Sequence, residues 1–283
     1  MSRRTLLLGS LGVIGVAALG TVGVDRGTLQ SGGGGLPDGV PDVASGRMVS
    51  GSFVSARRGG LRTGWTIAYP PGHDGAGLPV LVSLHGRGGD HDSTFERDLY
   101  LDRFLADAVR HGTKPFAIAS VDGGNTYWHR RRGSDSGGMV VDEFLPLLAR
   151  HGLDTTRIGL FGWSMGGYGA LYLASALGRQ RVPVVVAESP AIWHQAGQSA
   201  PGAFDDAADF DAHSIFGRLD GLAGIALRID CGASDGFAPA TRDLRAALHP
   251  IPAGGIEPGS HDATYWRRMA PAQLRFAGAH LPG

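Results

Sequence analysis

Cysteine is almost missing from this chain of 283 residues: Cys231 is its one thiol. A lone cysteine excludes an internal disulfide and any cysteine-built zinc site. It sits in an apolar, strand-like run, so packing is expected of it and not reactivity. Excess charge is missing too. Lys+Arg and Asp+Glu stand at 26 each, leaving no overall field to draw the chain to nucleic acid or an anionic surface. Phosphate cradles, metal-ligand spacings and nucleic-acid motifs are not found, so no cofactor, metal or nucleic-acid partner is expected. Arg130, Arg131 and Arg132 read as solvated loop charges.

Glycine, by contrast, is plentiful, at 47 residues, and two of them frame Ser164. Gly162-Trp-Ser-Met-Gly166 fits G-x-S-x-G, the turn that presents a nucleophile between a strand and a helix. The apolar run 157–161 predicts the strand, and apolar spacing from Met165 to Leu177 predicts the helix. A serine at the tip of so tight a turn holds strained backbone geometry. Side chains two positions before or after it would strike neighbouring backbone, so glycine is required at both. A glycine-rich chain produces such a pattern by chance, and the flanking strand and helix are what separate this one from chance.

Elsewhere, Met48–Ser55 and Arg62–Tyr69 alternate as paired antiparallel strands around a turn at Arg57-Arg-Gly-Gly60. Pro79–Leu84, Pro115–Val121, Val182–Ala187 and Ile225–Cys231 read as buried strands. Tyr100–His111, Met139–His151, Ala238–Leu248 and Ala263–Ala279 read as helices. Strands alternating with helices predict an α/β fold, a mainly parallel central sheet with helices on both faces. One domain is expected over 47–283. Within it, residues 190–222 predict a mobile lid over the site, with few residues reaching the core. Phe204, Phe210 and Phe216 are not at helical spacing, so the lid is expected to be irregular.

Ahead of the domain, Arg3 and Arg4 precede an uncharged stretch from Thr5 to Val24. Residues 1–26 therefore read as a twin-arginine-type export signal. A retained anchor, with membrane association through residues 5–24, is the second reading. Residues 27–46, rich in Gly and Pro, predict a flexible tether.

A serine hydroxyl is a weak nucleophile until a base takes its proton, and that base needs an orienting carboxylate. On this fold the chain order is Ser, then Asp or Glu, then His. His261 is the expected base, because Gly259-Ser-His-Asp262 follows a Pro-Gly break just before the last helix. Asp235, in the turn after a strand and flanked by Gly232 and Gly236, is the expected acid. Glu188, after the preceding strand, and Asp230, within its own, are the rivals. The oxyanion needs two donors: the Met165 amide, and by position the Arg87 amide from His85-Gly-Arg-Gly.

Leu84-His-Gly-Arg-Gly-Gly, Gly162-Trp-Ser-Met-Gly-Gly-Tyr-Gly-Ala, Cys231-Gly-Ala-Ser-Asp and Gly259-Ser-His-Asp-Ala-Thr-Tyr-Trp together resemble the putative-esterase family over about residues 47–280. That family of α/β hydrolases includes esterase D (S-formylglutathione hydrolase) and the secreted mycobacterial mycolyltransferases. The resemblance implies an α/β-hydrolase fold, a triad of Ser164, Asp235 and His261, and oxyanion donors at Arg87 and Met165. Gly123-Gly-Asn-Thr-Tyr-Trp-His129 is similar to the family segment bordering the pocket. His85, Gly86, Tyr127, Trp128 and Trp163 are accordingly expected at the substrate pocket. Two features depart from the pattern. Pro250-Ile-Pro-Ala-Gly-Gly is a poor final strand, and the acid is Asp where the mycolyltransferases usually carry Glu. The expected activity is hydrolysis of a small-molecule or lipid ester through an acyl-enzyme. An acyltransferase passing the acyl group to a sugar or lipid alcohol uses the same residues, and a non-catalytic envelope-binding protein is the third reading.

Overall fold

The computed structural model describes residues 35–282 and, by backbone alone, residues 22–27. In chain order the strands are β1 (Val22–Gly27), β2 (Met48–Ser55), β3 (Leu61–Ala68), β4 (Pro79–Leu84), β5 (Ala117–Val121), β6 (Arg130–Arg131), β7 (Ser134–Asp135), β8 (Asp154–Trp163), β9 (Val184–Glu188), β10 (Ala226–Gly232) and β11 (Ile256–Glu257). The helices are α1 (Leu101–Arg110), α2 (Ser136–Met139), α3 (Leu145–Arg150), α4 (Met165–Leu177), α5 (Ala207–His213), α6 (Ala238–Ala247) and α7 (Ala263–His280).

Nine strands form one sheet in the order β1-β2-β3-β5-β4-β8-β9-β10-β11. Pairing is antiparallel from β1 to β5 and parallel from β5 onward. β4, β5 and β9 are buried at every residue, because helices cover both faces of the parallel part. One face packs on α3, α4 and α6, the other on α1 and α7, and each carries its own apolar cluster. This is the α/β-hydrolase architecture that the sequence predicts. Among the described residues, no helix is long and apolar enough to cross a membrane.

The region read as one helix over Met139–His151 contains a π-helical stretch, Val140–Phe144, between α2 and α3. The final strand is present despite its prolines and glycines, but reduced to Ile256 and Glu257 beside Cys231 and Gly232, plus one bridge from Ala253 to Arg228. Cys231 is wholly buried in β10; burial, reinforced by the charge of Asp235, pushes its thiol up to about 12.

The N-terminal boundaries need correction. Residues 22–27, read as the end of the signal and start of the tether, pair with β2 from Val22↔Ser52 to Gly27↔Met48. Nor do residues 35–46 form a free tether. Leu36 packs on the α1/α7 cluster, Val40 is buried in it, and Arg103 donates to the Val43 carbonyl at 2.9 Å. Apolar side chains recurring among the glycines hold this segment down. The export-signal reading of residues 1–21 lies outside the described residues.

Residues 190–222 are irregular, as expected, with one short helix, α5, and single turns. The expectation of mobility is corrected. Ala203, Phe210, Ile215 and Leu222 are buried, and Phe204 and Phe216 pack on the core. Exposing a buried Phe, Ile or Leu costs about 1.5–3 kcal/mol each, so lifting this insert would cost several such increments. Arg131 fastens it further, donating to the carbonyls of Gly202 and Ala203 and to Asp205, all within 3.0 Å. Arg131 is thus a tie-down and not a solvated charge. The insert is a fixed wall.

Candidate active site

The site is built on the turn after β8. Ser164 has φ 56° and ψ −121°, the strained conformation that lifts its hydroxyl clear of the sheet edge. Both flanking glycines are required. A Cβ at Gly162 would lie 2.1 Å from the Gly166 carbonyl oxygen, and one at Gly166 would lie 1.8 Å from that of Leu84. The Ser164 amide donates to the Glu188 carbonyl at 2.9 Å, and the Ser164 carbonyl accepts from the Ala191 amide at 2.9 Å. The turn is thereby tied to the end of β9 and to the start of the insert.

Three side chains separated widely in sequence meet here. His261 stands 2.9 Å by Nε2 from Ser164 Oγ and 2.7 Å by Nδ1 from Asp235 Oδ2. Asp235 comes from the turn after β10, and His261 from the residue before Asp262, whose carboxylate caps α7 through the Tyr265 amide. The Asp235 side chain is fully buried, while that of His261 is about one-third exposed at 32%. Burial alone would raise the Asp235 carboxyl. The His261 ring and the Phe237 amide, at 2.9 Å from Oδ1, outweigh it and hold the group below the ordinary range. A carboxylate that stays charged can fix the imidazole with Nδ1 protonated, leaving the Nε2 lone pair for the Ser164 proton.

The rival acids lie elsewhere. Glu188 and Asp230 are register partners on β9 and β10, both fully buried. Asp230 accepts from Arg228 at 2.8 and 3.0 Å and from Gln273 at 3.0 Å. Neither Glu188 carboxyl oxygen has a partner in hydrogen-bonding geometry, and burial, reinforced by Asp230, pushes the group well above its usual range. Burial and the neighbouring Asp230 thus favour the neutral form of Glu188. No hydrogen bond links it to His261.

Of the expected oxyanion donors, Met165 is the first residue of α4, so its amide has no carbonyl of a preceding helical turn to serve. Arg87 lies in the loop after β4, and that loop borders the serine: a Cβ at Gly86 would come within 3.5 Å of Ser164 Cβ. The loop is braced at each end. The Gly123 amide donates to His85 Nε2 at 2.9 Å, His85 Nδ1 donates to the Gly86 carbonyl at 2.7 Å, and the Gly88 amide donates to Asn125 at 2.7 Å.

That bracing corrects part of the expected pocket. His85 and Trp128 are fully buried, and the Trp128 indole donates to the His85 carbonyl at 3.3 Å, so both support the loop from behind. Trp163 is buried between Phe161 and Trp266. Gly86 and Tyr127 are buried as well, Gly86 against the serine turn. The residues missed from sequence are aromatic. Phe237 meets His261 at 5.3 Å, Trp193 meets Phe237 at 5.5 Å, and Tyr127 meets Trp193 at 5.9 Å, a continuous wall leading away from the base. The insert's mixed aromatic and polar composition was the available signal.

A family model described as putative esterase matches residues 60–275. No curated protein matches the chain. Among solved structures, a ferulic acid esterase is 21% identical with a TM-score of 0.70, over 83% of this chain and 97% of that one. A Staphylococcus aureus fluorophosphonate-binding serine hydrolase is 18% identical with a TM-score of 0.69, over 83% and 99%. An S-formylglutathione hydrolase from Agrobacterium tumefaciens is 17% identical with a TM-score of 0.67, over 84% and 96%.

Proposed function

The chain belongs to the putative esterase family, and from that premise we propose that it is an exported serine esterase working through an acyl-enzyme. The observation that carries this reading is the continuous hydrogen-bonded line Ser164–His261–Asp235, at 2.9 and 2.7 Å. Ser164 Oγ attacks the ester carbonyl carbon while His261 Nε2 takes its proton, and Asp235 stabilises the imidazolium. The carbonyl oxygen, now negative, is received by the amides of Met165 and Arg87. His261 then gives the proton to the leaving alkoxide, and the alcohol departs. Water repeats the sequence on the acyl-serine, with His261 first as base and then as acid, and the free carboxylic acid is released.

The insert bears on substrate size. Most of its apolar side chains pack on the core, which limits the apolar surface beside the base to the short aromatic run of Phe237, Trp193 and Tyr127. Acetyl to octanoyl p-nitrophenyl esters are expected to be cleaved with higher kcat/KM than the palmitoyl ester, measured below their critical micelle concentrations. A long groove would add about 0.8 kcal/mol per buried methylene, so efficiency climbing through the palmitoyl ester would overturn this reading. The same assay run with glycerol or trehalose tests the route of the second step. Release of free acid unchanged by the acceptor is expected; diversion of the acyl group to the acceptor would make the protein a transferase.

Export is proposed through the twin-arginine route on Arg3 and Arg4. Replacing both with lysine keeps the positive charge but removes the recognised pair. The variant is expected to remain inside a producing bacterium when fractions are compared, and normal export of it would point to the general secretory route.

A further inference from the structure

Between β9 and the insert stands one residue joined to the segments of all three triad members. Ser189 is fully buried and holds φ 45°, a left-handed backbone that a residue other than glycine adopts at a cost. Its neighbours in sequence grip the nucleophile turn. The Ser164 amide donates to the Glu188 carbonyl, and the Ala191 amide to the Ser164 carbonyl, each at 2.9 Å. The Ser189 amide donates to the Asp230 carbonyl at 2.8 Å, anchoring it to β10, the strand that leads to Asp235. The backbone is thus fixed from both sides, and that fixes where the hydroxyl points.

The partners of the hydroxyl determine its role. The Trp266 indole, which can only donate, gives its hydrogen to Ser189 Oγ at 3.2 Å in a buried contact. Ser189 therefore accepts on one side and has a single hydrogen left to give. Two acceptors stand beside it, the Cys231 thiol and the Asp235 carboxylate. Sulfur accepts weakly and the carboxylate is charged, so the hydrogen goes to Asp235. Burial raises the Asp235 carboxyl, while hydrogen bonds from the His261 ring, the Phe237 amide and the Ser189 hydroxyl lower it. The Phe237 amide belongs to the same turn as Asp235 and moves with it. Ser189 instead ties the carboxylate to the end of β9. Trp266 closes the arrangement from α7: its amide donates to the Asp262 carbonyl at 3.1 Å, and its ring meets His261 edge-on at 5.1 Å.

We propose that Ser189 is a positioning residue of the triad, its hydroxyl holding the Asp235 carboxylate in line with His261 Nδ1. The inference rests on the esterase reading above. Glycine would take φ 45° without strain, so the serine is explained by its hydroxyl and not by its backbone.

Ser189→Gly removes the hydroxyl without adding backbone strain, and Ser189→Ala keeps the wild-type Cβ. Both are made in the full chain, with near-ultraviolet circular dichroism confirming the fold. Each is expected to lower kcat for a short p-nitrophenyl ester about ten- to hundredfold with KM unchanged, the loss of one hydrogen bond to a charged group. The low-field proton NMR signal of the His261–Asp235 hydrogen bond is expected to shift or broaden in both variants. A serine that merely packs would leave that signal in place. The proposal is overturned if the folded variants keep kcat within about twofold of wild type, if the loss is confined to KM, or if the low-field signal does not move. A wild type that neither cleaves a short ester nor takes up a fluorophosphonate fails the esterase reading, and this inference with it. An active wild type beside unimpaired Ser189 variants fails the inference alone.

Discussion

Replacing Ser164 with alanine is expected to lower turnover of a short p-nitrophenyl ester by about 10⁴–10⁶-fold, the loss seen when one member of a cooperating triad is removed. The fold is expected to survive. Alanine carries the same Cβ through the strained backbone at φ 56°, and only the hydroxyl contact with His261 at 2.9 Å is lost. One hydrogen bond is worth about 0.5–1.5 kcal/mol net, so the melting midpoint should move little. The two measurements are made on the same preparation. Activity falling less than about tenfold with an unchanged melt would remove Ser164 from the chemistry.

Asp235→Asn and Glu188→Gln are expected to separate just as sharply. Asparagine keeps the shape of Asp235 but loses the charge that fixes the imidazole tautomer, and the expected loss is about 10⁴-fold in kcat. Glutamine at 188 mimics the neutral carboxyl that burial and Asp230 favour there, so activity should stay within a few-fold of wild type. The pH dependence of stability gives an independent readout. Because the folded-state pKa of Glu188 is raised, the folded chain holds a proton that the unfolded chain gives up. The Glu188 contribution to stability is therefore fully present below the ordinary glutamate range and declines as pH rises through and above it. Glu188→Gln removes that contribution, so denaturant midpoints of the variant should fall less with rising pH. If Glu188→Gln is the inactive variant and Asp235→Asn the active one, the acid is Glu188.

How much of this was legible in the sequence depended on how local the determining physics is. β4 and α4 match their predicted bounds to the residue, since Pro79 starts one and Ser164 and Gly178 bracket the other. The turn glycines, His261 and Asp235 were readable because each sits at a strand or helix end marked by its neighbours. β11 was obscured because two residues pair in a segment whose composition argues against a strand; β10 imposes the pairing from outside. β1 is likewise held by the edge of β2 and not by its own pattern. His85, Trp128 and Trp163 were misplaced because sequence order puts them beside the site while tertiary packing turns them inward. The insert shows the same limit: the wide spacing of Phe204, Phe210 and Phe216 correctly excluded one amphipathic helix, yet said nothing of how deeply they are buried.

Cys231 has a practical corollary. A sole thiol that is wholly buried, its pKa pushed up to about 12 by that burial, leaves the folded chain blank to maleimide dyes at neutral pH. Any cysteine introduced on the surface, for instance at exposed Gln198 in the insert, becomes a uniquely addressable handle without removal of the native thiol. A fluorophore there would watch the insert alone, with the native thiol contributing no background.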